Sequence, residues 1–152
     1  MFRHPAFLVA LVLMAVVAGC SGSSTASKSD YAASVVNARD RVDFALAQIT
    51  QSKTKDEFLD QMVASSELID DAANDFENAS SAKGFDDESK KLAKAMHQLA
   101  VDLNATAEQI RLPGYEGLLD AKGLNFDSWT AINATLADLN EQGIKVSPLG
   151  RH

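Results

Sequence analysis

Three groups of residues in this 152-residue chain have chemistry beyond folding. The first is a row of carboxylates, Glu67, Asp71 and Asp75, spaced i, i+4, i+8 so that on a helix they share one face. Such oxygens suit a hard divalent cation, which takes about six to eight oxygen ligands. One helical row cannot surround an ion, and no D-x-[DN]-x-[DN]-G loop with its closing Glu accompanies it. The row therefore reads as a charged face, open to a partner or a loosely held cation. The second group is His97 beside Met96, with Met62 as a further ligand for haem. His97 falls one step off the apolar seam of its segment, where a ligating histidine must point inward. The Glu-x-x-His pairs of a di-iron bundle are missing. A solvated His97, with no metal and no cofactor, is expected. The third is Cys20, the single thiol. No serine lies in G-x-S-x-G, and there is no phosphate-binding or dinucleotide-binding glycine motif. No catalytic residue emerges, and the chain is not expected to be an enzyme.

Cys20 has a telling position. Arg3 gives the N-terminus positive charge, Ala6 to Val17 form an uncharged apolar run of 12 residues, and small residues follow. The run is short of the roughly 20 residues of a membrane-spanning helix. Val17-Ala18-Gly19-Cys20 resembles the lipobox of bacterial lipoproteins: an aliphatic residue, two small residues, then cysteine. The resemblance covers about 20 residues. It implies that Val17, Ala18 and Gly19 are read by the signal peptidase, that residues 1–19 are removed, and that Cys20 carries the acyl chains. With two or more chains at about 0.8 kcal/mol per buried CH₂, anchoring is stable. The implied location is extracytoplasmic, on the outer leaflet of the cell membrane or in an outer membrane.

Removing 19 of the 152 residues leaves 133, enough for one domain. The full chain has a formal charge of −7, and loss of Arg3, the one charged side chain of the leader, takes it to −8. That sign disfavours nucleic acid and adsorption to anionic lipid. Ser21 to Lys28 (SGSSTASK) has no bulky apolar residue and reads as a flexible tether, with residues 20–29 linking the anchor to a body over 30–147.

The body reads as all-α, an up-down bundle of about four helices with a short lid helix. The first helix starts near Ser29 or Asp30 and runs on Val35, Ala38, Val42, Ala45 and Ile49, with Phe44 and Leu46 widening the stripe. Thr54 and Glu57 form a capping box for the second, which runs on Phe58, Met62, Ser65, Ile69, Ala72, Phe76 and Ala79. The third begins near Asp86 on Ser89, Leu92, Met96, Leu99, Leu103, Thr106 and Ile110. The fourth is capped by Asn125 or Asp127 and carries Trp129, Ile132, Leu136 and Leu139. Gly143 suits a left-handed residue after it, with Ile144 in the accompanying contact. Val146-Ser147-Pro148 should end the order. Lys90, Lys91 and Lys94 are expected to offset Asp75 and Glu77 across the second hairpin.

The 112–126 connector, with Tyr115, Leu118 and Leu119, is long for a helix link and reads as a lid over the open end of the bundle. Two functions remain in play. One is an interaction module that docks a protein on the acidic second helix or on the lid. The other is a small-ligand carrier with an apolar pocket under the connector, lined by Tyr115, Leu118, Leu119 and Trp129. A large exposed apolar patch favours the first and an enclosed cavity the second.

Overall fold

The computed structural model describes residues 26–79, 81–113 and 126–150, so the leader and Tyr115, Leu118 and Leu119 of the connector lie outside it. Four helices make up the described chain: α1 (Lys28–Ile49), α2 (Lys55–Asn78), α3 (Asp86–Arg111) and α4 (Asp127–Glu141). They form an up-down bundle in which α1 packs on α2, α2 on α3 and α3 on α4. Among the described residues there is no strand, and one isolated parallel bridge joins Ala26 to Ala82. No described helix is long and apolar enough to cross a membrane.

Each helix begins or ends for a local reason. The Ser27 hydroxyl accepts from the Asp30 N–H at 3.1 Å and donates to the Asp30 carboxylate at 2.7 Å. The helix thus starts earlier than the expected Ser29 or Asp30, because an acid three residues on makes Ser27 the better cap. Thr54 caps α2 by accepting from the Glu57 N–H at 3.1 Å, while Glu57 reaches back to the Lys53 N–H at 2.8 Å. Asp86, Asp87 and Glu88 crowd the first turn of α3, where the helix dipole favours negative charge. Asp127 is the first residue of α4 and not its cap. Gly143, at φ +87°, closes α4: Gly143 N–H donates to Asn140 O at 3.0 Å and Ile144 N–H to Leu139 O at 2.9 Å. This is the Schellman pairing, with Ile144 fully buried beside it.

The predicted seams line the core. Val35, Val42, Met62, Ile69, Met96, Leu99, Leu103, Leu136 and Leu139 have at most 1% exposure. Tyr31 extends the α1 seam, its ring 5.1 Å from that of Phe85 and 6.3 Å from that of Phe76. Its hydroxyl lies 2.8 Å from Ser89 Oγ, which itself donates to the Phe85 carbonyl at 2.7 Å. Phe44 is the exception: expected to widen the core stripe, it stands outside with 60% exposure. Arg41 at i−3 and Asp40 at i−4 share its side of α1, off the three-four rhythm of the seam.

The chain beyond Gly143 corrects the expectation that order ends at Val146-Ser147-Pro148. Residues 144–150 run extended in the seam between α1 and α4, with Ile144, Val146 and Leu149 buried. Lys28 Nζ donates to Gln142 O at 2.9 Å, Arg39 donates to Pro148 O from Nη2 at 2.7 Å and Nε at 3.3 Å, and Asp43 accepts from the Gly150 N–H at 2.7 Å. From the α4 side, Asn133 Oδ1 accepts from the Leu149 N–H at 2.8 Å. The tail therefore ascends parallel to α1. Eight extended steps cover about 26 Å, against about 22 Å for the fifteen helical steps from Lys28 to Asp43.

Two outcomes follow. Leu149→Ala should cost about 2 kcal/mol in urea unfolding with an unchanged m-value, whereas a loss under about 0.5 kcal/mol would show that the tail does not stabilise the body. Burial raises the Tyr31 pKa above its ordinary value, Ser89 partly opposes this, and Glu88 and Asp86 add to it. A raised folded-state pKa means that its contribution is complete below pH of about 10 and is lost as pH climbs through the folded value. Tyr31→Phe should flatten the fall in stability above pH of about 10, and an unchanged alkaline slope would remove Tyr31 as its source.

Candidate interaction face

The α1–α2 hairpin brings together side chains that the core does not use. The buried Ser65 hydroxyl donates to Ala45 O at 2.7 Å and helps to set the register of the two antiparallel helices. In that register Phe44 of α1 meets Leu68 of α2, which is 42% exposed. With Asp40 and Arg41 they line a shallow, open hollow of about 260 Å³. The other large exposed apolar residues, Val101 on α3 and Leu112 after it, do not line this hollow.

The carboxylates around the hollow differ in how far they are compensated. Asp75 holds Arg41 at 2.6 Å, and Asp40 holds Arg39 at 2.7 Å. Glu67 and Asp71 are exposed and have no ion-pair or hydrogen-bond partner among the described residues. Asp71, three residues after Leu68, neighbours it on the helix surface, and Glu67 lies one turn before Asp71 on the same outer side, so the two free charges run along one side of the exposed leucine. The row Glu67, Asp71, Asp75 thus borders an apolar hollow, with its last member already engaged by Arg41. Among the described residues no group of three or more His, Cys, Asp or Glu side chains is arranged to hold a metal ion.

The expected pairing with Lys90, Lys91 and Lys94 is replaced by other partners. Asp75 turns to Arg41 on α1, and His97 of α3 lies between two other acids: its Nδ1 is 2.6 Å from Asp70 Oδ1 and its Nε2 3.7 Å from Glu77 Oε2. His97 is 31% exposed, so it keeps contact with solvent while bridging acids on the outer edge of the α2–α3 seam. Met62 and Met96 are both buried in the core.

Of the other sequence-derived candidates, Val17, Ala18, Gly19 and Cys20 lie outside the described residues, as do Tyr115, Leu118 and Leu119. Trp129 is partly buried and packs against the core. The residues that sequence reasoning missed are Phe44 and Leu68. Leu68 was visible as a leucine off the α2 seam, whereas Phe44 was absorbed into the α1 stripe because aromatics usually join a core. No family model matches this sequence, and no curated protein or solved structure matches it either.

Proposed function

We propose that this chain is a lipid-anchored extracytoplasmic lipoprotein whose helical bundle is an interaction module with no catalytic role. The leader and the lipobox pattern support the anchor, with lipid on Cys20. The anchor can then serve attachment while the bundle surface is free for a partner. One observation carries the interaction reading: Phe44 and Leu68, 60% and 42% exposed, sit together beside the uncompensated Glu67 and Asp71. Leaving two large apolar side chains in water forgoes their burial free energy, which a docked partner recovers.

The geometry suits this division of labour. The bridge between Ala26 and Ala82 ties the chain to the bundle at residue 26. At most about 20–22 Å of contour then separates Cys20 from the body. Phe44 lies 16 residues beyond the start of α1, about 24 Å up the helix from its tethered end. The hollow would face sideways, well clear of the lipid headgroups.

Two variants test the parts separately. Cys20→Ser should move the protein from the membrane to the soluble fraction, and intact mass of the native form should start at Cys20 with two or three acyl chains. A mass starting at Met1 without lipid would sink the anchor. A photoreactive residue at position 44, in producing cells, should give a discrete protein adduct that the same residue at position 101 does not. Equal labelling at both positions would contradict the interaction reading, because Val101 is as exposed as Phe44.

A further inference from the structure

We infer that the partner of the α1–α2 face is a protein segment that lays a basic, amphipathic helix along the hairpin, with an apolar side chain in the Phe44–Leu68 hollow and Lys or Arg on Glu67 and Asp71. This rests on the interaction reading above and adds the chemistry of what is bound.

The hollow, at about 260 Å³, is open and falls below the roughly 300–1,000 Å³ of small-molecule sites. It suits one apolar side chain delivered from outside. Its walls are two antiparallel helices, and the groove between such helices is a natural bed for a third, anchored at i, i+3 or i+4 positions.

Charge then selects the partner. Arg41 and Arg39 neutralise Asp75 and Asp40, so the unanswered charges nearest Leu68 are Glu67 and Asp71. A second copy would bring the same two carboxylates to the contact and oppose like with like. Anionic lipid is repelled on the same grounds. A segment with two Lys or Arg one turn apart beside its apolar residue satisfies both free acids, themselves one turn apart, as the apolar residue enters the hollow. The exposed Phe44 ring offers one of those cations a face.

The test uses the full lipidated protein in its own membranes, with the photoreactive residue at position 44 and the crosslinked peptide sequenced. The contact segment should carry Lys or Arg within a turn of its apolar residue. Glu67→Gln with Asp71→Asn should lower the adduct yield about tenfold, the equivalent of two surface ion pairs, and added salt should lower it too. Glu67→Lys with Asp71→Lys should abolish it. Both positions are exposed, so the unfolding temperature of each double variant should stay at that of the native chain, which separates lost docking from lost fold. An adduct whose yield ignores these charges, a contact segment that is neutral or acidic, or an adduct between two copies would overturn the inference while leaving an interaction face in place. The absence of any adduct specific to position 44 would overturn the underlying reading as well.

Discussion

Helix α4 spans about 22 Å against about 39 Å for α3, and its principal neighbour is α3, not α1. A bundle built this way has an unclosed seam between its first and last helices. The chain closes it with an extended strap, not with a longer helix. Arg39 is the main fastening, because its Nε and Nη2 both donate to the Pro148 carbonyl. Asp43 and Asn133 take the next backbone N–H groups from opposite sides. With the Ile144, Leu149 and Gly150 N–H groups and the Pro148 carbonyl answered, the tail can bury Ile144, Val146 and Leu149. Gly143 is what permits this turn: at φ +87° a side chain is strained, and an added Cβ would come within 3.1 Å of Lys28 Nζ.

With the α1–α4 side closed by the tail, the α1–α2 outer surface brings two exposed apolar side chains together, whereas Val101 and Leu112 stand away from that hollow. Core demand on α1 and α2 is met by the inward stripes, which are largely alanine, valine, isoleucine and methionine. The outward positions of the two helices are then free of core packing duty. Phe44 and Leu68 occupy those positions. They neither fill the core nor join an ion pair, so folding alone gives no reason for two large apolar residues to meet there. The polar neighbours fall into two sets: Arg39 and Arg41 pair with Asp40 and Asp75, while Glu67 and Asp71 have no partner among the described residues.

Much of this architecture was legible in the sequence because it follows from period. Leu92, Met96, Leu99, Leu103 and Ile110 repeat at alternating three- and four-residue steps and sit on the central helix, as the pattern predicts. The Gly143–Ile144 stop was equally clear. The tail was not, since Val146, Pro148 and Leu149 follow no helical or strand period, and the bonds that order them come from Arg39 and Asp43, more than a hundred residues upstream. The ion pairs were misread for the same reason. Lys90, Lys91 and Lys94 are near Asp75 and Glu77 in sequence order along the hairpin, but side-chain direction hands Asp75 to Arg41 and Glu77 to His97. Phe44 shows the limit of composition: its type argued for the core and its register for the surface, and register prevailed.

The central claim is that the Phe44–Leu68 hollow is covered when the protein stands at its membrane. Carbene footprinting of the native protein, in intact membranes and again after purification in detergent, measures this directly. The account predicts that labelling at Phe44 and Leu68 is low in membranes and rises on purification, while Val101 labels equally in both. Equal labelling of Phe44 and Leu68 in the two states would contradict it.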